Sequence, residues 1–296
     1  MVILRNISVV VCGIVRDAEK GLKRNIPVIS QFLSLCGDYR AFIYENDSKD
    51  QSKKLLQEWH QTDPQRIHIS INDHIISKYI PIKTLNNVNP FFSKERIEKM
   101  AMLRNKYMDY INEKGWTADY LMIVDLDVAH LFLDGIMSSF LTDRKWDAVT
   151  AFGYSTSPQL RRRYHDGYAL TLWGDQGLAQ KEESIIKNSY NLGNLKADDE
   201  WIRIFSGFGG LAIYRFETVK GLRYQVIDND DPRVEVKCEH FSIYDQMIKN
   251  GYDRIYINPD MKLKYQDLNL KIILKSATKR IHRFISRYTN VVILNK

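Results

Sequence analysis

The sequence has little of what builds the extreme classes of protein chain. Its three cysteines (Cys12, Cys36 and Cys238) are an odd number with no CxxC pair, too few and too scattered for a disulfide framework or a cysteine-rich zinc site. They point to reduced thiols and a cytosolic compartment. Fifteen glycines and seven prolines exclude collagen-like and low-complexity chains. No apolar run reaches the roughly 18 residues that a bilayer-spanning helix needs. The stretch Ile7–Val15 follows Arg5 as the apolar part of a signal peptide would, but it runs into Arg16-Asp17 with no small-residue cleavage site. It reads as the buried first strand of a soluble protein.

What is present is a hydrophobic content of 44% with 11% aromatics over 296 residues, enough to bury a core and to rule out wholesale disorder. No repeat and no Gly/Ser/Pro linker divides the chain, so one domain over 1–268 and a tail over 269–296 is the simplest parse. The net charge of +7 belongs to the tail. Lys271, Lys275, Lys279, Arg280, Arg283, Arg287 and Lys296 stand there without an acid, and the remainder is neutral. Ile273, Ala277, Ile281, Phe284 and Tyr288 recur at helical spacing among these charges. Such a basic amphipathic helix suits the anionic face of a membrane, or packs its apolar side on the body. Aromatics are not interleaved with the charges as single-strand stacking needs, so no nucleic acid partner is expected.

The first half alternates strand and helix. Ile7–Val15, Tyr39–Glu45, Arg66–Ile71 and Tyr120–Val124 read as strands; Glu19–Leu35 (distorted at Pro27), Gln51–His60 and Ser93–Lys114 (capped by Ser93) read as helices. This succession implies an α/β fold, with a mostly parallel sheet flanked by helices. In the second half Trp146–Phe152, Gly209–Tyr214 and Arg254–Ile257 look like strands and Phe241–Lys249 like a helix, with a turn at Asn258-Pro259-Asp260. The stretch from Tyr154 to Trp201 shows no clear period.

The sharpest motif is Asp125-Leu126-Asp127 after the apolar strand Tyr120–Val124. Open α/β sheets bind ligands at the carboxyl ends of their strands, and residues i and i+2 of an extended chain point the same way. Two hard oxygen donors there suit Mn²⁺ or Mg²⁺, with waters and phosphate oxygens completing the shell. Arg104 falls on the inward stripe of its helix, one turn from Met100/Ala101 and from Met108. A charge in that position needs a partner, either a structural carboxylate, the two acids or a phosphate. Glu45-Asn46-Asp47-Ser48 at the end of the second strand offers a carboxylate and amide for a base or ribose, or an Asx turn with a helix cap. Cys238-Glu239-His240, being consecutive, cannot form a zinc site alone. Asp198–Glu200 and Asp228–Asp231 read as solvated loops.

In this order and spacing, the chain resembles the nucleotide-sugar-binding half of GT-A glycosyltransferases. Ser48-Lys49-Asp50-Gln51-Ser52 is similar to the S-x-D-x-T segment of the large family 2. Ile43-Tyr44-Glu45, Met100–Asn105 and Asp125–Val128 together are more similar to the capsule-associated mannosyltransferases of family 69 and their bacterial relatives. So are Tyr164–Leu170 and Ser206–Gly210. The resemblance covers about 5–265. It implies a Mn²⁺ or Mg²⁺ ion on Asp125, Asp127 and His240, and a UDP- or GDP-sugar donor in contact with Val15, Arg16, Glu45, Arg104 and Asp125. It also implies a glycan or lipid-linked saccharide acceptor approached closely by Gly207, Gly209 and Gly210. An inverting enzyme would need a carboxylate to deprotonate the acceptor hydroxyl. The candidates are Asp166, Asp175 and Glu239, with Asp175 favoured for its setting in Trp173-Gly174-Asp175-Gln176. Location at the cytoplasmic face of a membrane follows from the tail. A haloacid-dehalogenase-type phosphohydrolase using the same acids, and a carbohydrate-binding protein without catalysis, are the alternatives.

Overall fold

The computed structural model describes residues 4–73, 89–267 and 278. The amphipathic helix expected over the tail, and the division at 268, lie outside the described residues. The first half runs β1 (Leu4–Val15), α1 (Glu19–Leu35), β2 (Cys36–Asn46), α2 (Ser52–Thr62), β3 (Ile67–Asn72), a 3₁₀ turn (Pro90–Phe92), α3 (Lys94–Glu113) and β4 (Tyr120–Val124). The second runs β5 (His130–Leu131), α4 (Leu133–Ser138), β6 (Ala148–Thr156), β7 (Arg162–Tyr164), β8 (Thr171–Leu172), α5 (Glu182–Leu192), β9 (Ile202–Ser206), β10 (Leu211–Arg215), α6 (Phe216–Val219), α7 (Glu239–Lys249) and β11 (Ile255–Lys264).

The described strands form one mixed sheet in the order β3-β2-β1-β4-β10-β6-β11-β9-β8, with β5 added at β11 and β7 at β6. Strands β3, β2, β1 and β4 are mutually parallel; β10 then runs antiparallel between β4 and β6, and β6 pairs parallel with β11. The three longest ladders, β1–β2, β6–β11 and β2–β3, are all parallel. Their apolar runs follow from burial on both faces. Val9 and Val11 of β1 and Met122 of β4 pack under Leu22, Ile29 and Phe32 of α1. Val10, Cys12, Leu121 and Ile123 face the other way, onto Tyr107 and Met108 of α3 and Tyr244 and Met247 of α7. Burial of each such side chain is worth about 1.5–3 kcal/mol. The period-two alternation therefore clamps the strands between two helical layers.

Local signals behave as the sequence suggests in most places. The Ser93 side chain accepts the Arg96 N–H at the start of α3. Helix α1 runs unbroken through Pro27. The turn expected at Asn258-Pro259-Asp260 is not there: β11 continues to Lys264. Asn258 folds its side-chain oxygen back onto the Asp260 N–H at 2.9 Å, and its amide donates to Ser138 and Ser139. The turn chemistry is spent on a bulge that shifts the β6–β11 register between Asn258 and Lys262, a place where a strand tolerates proline.

Candidate active site

The parallel half of the sheet ends at a cleft of about 670 Å³. Its walls include Val15 at the end of β1 and Arg16 after it, Asn46 at the end of β2, Arg96, Lys99 and Arg104 from α3, Asp125 and Asp127 after β4, and Tyr265 after β11. Two loops at the mouth are tied together. The N–H groups of Asp17, Ala18 and Glu19 donate to Ser48 Oγ (2.9 Å), Ser52 Oγ (2.8 Å) and Asp50 Oδ2 (2.9 Å). Asp50 also accepts the Ser52 N–H at 2.9 Å, so one carboxylate serves the first turns of α1 and α2 together. That accounts for Ser48, Asp50 and Ser52 structurally.

Asp125 is held from three directions. Its N–H donates to Gly210 O at 2.9 Å, Arg104 Nη2 lies 3.8 Å from Oδ1, and Tyr265 Oη donates to Oδ2 at 3.1 Å. Burial pushes its carboxyl up to about 7; Arg104 opposes the rise, and the neighbouring Asp127 and Asp166 reinforce it. Asp127 presents its side chain to the open cleft, and its carboxyl too is raised, chiefly by the surrounding protein.

Arg104 is buried at 4% exposure and donates through Nε to Glu239 Oε1 at 2.9 Å. Its guanidinium lies 4.9 Å from the Phe208 ring centre. Nη1 has no hydrogen-bond partner among the described residues. Burial works against the charge of Glu239, yet Arg104, then His240 and Arg96, together outweigh it and hold this carboxyl down at about 2. Glu239 is therefore a fixed anion that orients Arg104, and its expected place as a proton acceptor is not supported by this pairing.

The other expected site residues are distributed as follows. Asp166 accepts the Gly209 N–H at 3.3 Å. Burial and the nearby Glu239 raise it to about 6. Asp175 sits in a turn after β8, its N–H on Leu172 O; neither Asp175 nor Asp166 is among the residues lining the cleft. The adjacent Trp173 ring, 37% exposed, carries Arg203 over one face, 3.7 Å from its centre. Glu45 is fully buried and accepts the Ser48 N–H at 2.7 Å; Oε2 has no partner among the described residues.

His240 is turned into the core at 1% exposure, stacked on Phe208 at 4.1 Å, with both ring nitrogens unpartnered among the described residues. Burial, then Arg104, holds the imidazole well below its usual range. Among the described residues no three His, Cys, Asp or Glu side chains are grouped to hold a metal, so the expected Asp125–Asp127–His240 set is not brought together. Gly209 and Gly210 do adopt positive φ, 66° and 92°. Gly209 approaches β6, where a Cβ would lie 2.2 Å from Ala151 O, while Gly210 faces the Tyr265 ring and Val128.

Sequence reasoning missed Tyr265, Arg96 and Lys99. Arg96 has a signal in retrospect, since 96, 100 and 104 share a helix face. Tyr265 has none, because it lies beyond the turn expected at 258–260.

A parallel half-sheet that turns antiparallel at β10, with an acid pair at the exit of β4 and an arginine over it, is the α/β architecture of the GT-A glycosyltransferase class. The sequence profile of the family described as Cryptococcal mannosyltransferase 1 matches residues 8–244, and the chain belongs to that family. This membership removes the phosphohydrolase alternative. No curated protein matches the chain. Among solved structures it is similar to the mannosyltransferase PcManGT from Pyrobaculum calidifontis in complex with GDP-Man and Mn²⁺, at 13% identity and a TM-score of 0.45, over 87% of this chain and 56% of that one. It is also similar to glucosyl-3-phosphoglycerate synthase from Mycobacterium tuberculosis in complex with Mn²⁺, UDP and phosphoglyceric acid, at 11% identity and a TM-score of 0.43, over 95% and 78% of the two chains. A third similar structure is S. aureus TarS 1-349, at 11% identity and a TM-score of 0.37, over 84% and 57%. The chain thus spans little more than half the length of the Pyrobaculum protein.

Proposed function

We propose that the chain is a divalent-metal-dependent glycosyltransferase that moves a hexose from a UDP- or GDP-sugar to a hydroxyl of a glycan or lipid-linked saccharide, in the synthesis of a surface polysaccharide or glycoconjugate. The observation that carries this reading is the convergence of Asp125, Asp127 and Arg104 on one cleft at the carboxyl end of β4. The two carboxylates fit Mn²⁺ or Mg²⁺: they are hard donors, the charge of Asp127 raises the proton affinity of Asp125, and such ions are held by one or two carboxylates together with substrate phosphates. When bound there, the ion would neutralise charge on the departing diphosphate.

The remaining steps fall to this chain's side chains. Arg104, one of the cleft's lining residues, is already oriented by Glu239, so its guanidinium holds a fixed positive charge beside Asp125 where phosphate charge develops. Arg16, at the mouth, adds a second cation to the diphosphate side, and Val15 packs beside it. Tyr265 keeps one Asp125 oxygen fixed. If transfer inverts the anomeric carbon, Asp166 takes the acceptor proton: raised to about 6, it is ionised at neutral pH yet basic enough to accept. The acid-free basic segment 271–296 would rest on the anionic cytoplasmic face of a membrane, where lipid-linked acceptors lie.

Incubation with a panel of UDP- and GDP-sugars and Mn²⁺ tests the reading. Release of the nucleoside diphosphate, lost in Asp127→Ala, supports it. Donor binding with no turnover on any glycan would leave a carbohydrate-binding protein.

A further inference from the structure

The β6–β7 hairpin carries a second concentration of charge that the donor reading does not use. Arg161, Arg162 and Arg163 are consecutive, and none is ion-paired with a carboxylate among the described residues. Each is fixed by other means. The Arg161 guanidinium lies 4.9 Å from the Tyr190 ring centre; that of Arg162 lies 4.6 and 4.4 Å from Phe152 and Tyr154. Arg163 Nε donates to Ser155 Oγ at 3.1 Å. Adjacent like charges repel, and aromatic platforms fix the guanidiniums without neutralising them.

This ridge is joined to the acid pair by contacts. Ser155 Oγ also meets His165 Nδ1 at 3.0 Å. The His165 ring stacks on Tyr265 with centres 3.8 Å apart and planes 15° from parallel, and Tyr265 donates to Asp125 Oδ2. Arg104 approaches the same carboxylate through Oδ1, so Arg104 and the contacts leading from the ridge meet different oxygens of Asp125. Within β7, alternation turns Arg163 to the face opposite Arg162 and Tyr164. The acids nearby are engaged elsewhere: Asp166 with the Gly209 N–H, Glu182 with Asn89 at 3.1 Å, Glu183 with Arg233 at 2.6 Å.

Resting on the transferase reading above, we propose that Arg161 and Arg163 bind a phosphate carried by the acceptor, which makes the acceptor a phosphorylated saccharide, soluble or lipid-linked. Guanidinium forks match phosphate oxygens in pairs, and Arg163 is linked through Ser155, His165 and Tyr265 to Asp125.

The test uses the full chain loaded with Mn²⁺ and GDP or UDP, so that the donor cleft is filled, and titrates it with glycerol 3-phosphate in a calorimeter. Phosphatidic acid vesicles are sedimented with the same proteins in parallel. The wild type should bind glycerol 3-phosphate. Arg161→Ala/Arg163→Ala should lose about tenfold or more in affinity, the worth of a charge-assisted hydrogen bond, while still binding the nucleoside diphosphate. Arg161→Lys/Arg163→Lys should keep part of the affinity. Equal affinity in wild type and the alanine variant, or no binding by the wild type, overturns the proposal. Loss of vesicle binding with glycerol 3-phosphate affinity unchanged also overturns it and makes the ridge a membrane contact. Failure to bind GDP or UDP counts against the donor reading instead, and the titration of unloaded protein still reads the ridge.

Discussion

Arg104 on α3 and Glu239 at the start of α7 meet at 2.9 Å with their side chains 5% and 3% exposed. They are 135 residues apart in the chain, and their contact ties the helix that crosses the cleft to the helix behind it. Removing one partner of such a pair strands a charge where water cannot reach it. Glu239→Ala should therefore cost about 3–5 kcal/mol in urea unfolding. Arg104→Met/Glu239→Leu should recover most of that stability, because apolar replacements of both partners are well tolerated. The double variant should nonetheless lose far more affinity for nucleoside diphosphates than for nucleosides. Equal loss for the two ligands would deny Arg104 a phosphate role.

The carboxyls of Asp125 and Asp166, raised to about 7 and about 6 from an ordinary value of 3.8, give stability a definite pH slope. The folded protein keeps these protons where the unfolded chain has lost them. Their contribution is whole below about 4 and fades as pH rises through 6 and 7. The Tm of metal-free protein should fall between about pH 5 and pH 8, and Asp125→Asn should flatten the fall. Mn²⁺ needs the ionised acids, so the Tm gain it confers should grow over the same interval. A metal-free Tm that climbs across it would contradict the burial of these acids.

Tyr265 donates to Asp125 Oδ2 and so favours the ionised carboxylate. Tyr265→Phe keeps the ring against His165 but removes that donor. Mn²⁺ affinity should drop about tenfold near pH 6.5 and less near pH 8.5, where ionisation no longer needs help. A loss independent of pH would mean that the hydroxyl serves only packing.

The tail makes a separate prediction. Protein lacking 271–296 should bind anionic vesicles less well than the full chain, most visibly at low salt, while nucleotide release in solution continues. Undiminished vesicle binding would remove the tail from the account.

Much of this was legible in the residues because one physical constraint dominated. Strands buried on both faces must be apolar throughout, so β1 and β4 stand out, and a carboxylate pair directly after one of them is conspicuous. Arg104 was legible for the converse reason, as a charge on an apolar stripe. The rest depended on long-range contacts. Whether Glu239 is a base or an anchor turns on Arg104, 135 residues away. Asp175 lies off the lining of the cleft and Arg203 stands over one face of Trp173, and nothing local announces either. At 258–260 a strong turn signal was read correctly as chemistry and wrongly as geometry, since Asn258 spends its bonds inside a strand that continues. Tyr265 was hidden behind that misreading.

The most direct measurement is calorimetric titration of wild type and Asp127→Ala with UDP- and GDP-sugars, each with Mn²⁺ and with a chelator. One donor should bind the wild type with Mn²⁺ and lose most of its affinity on chelation. Asp127→Ala should show that weak binding under both conditions while melting cooperatively. A donor that binds wild type and variant equally, with or without the ion, would contradict the assignment of this acid pair.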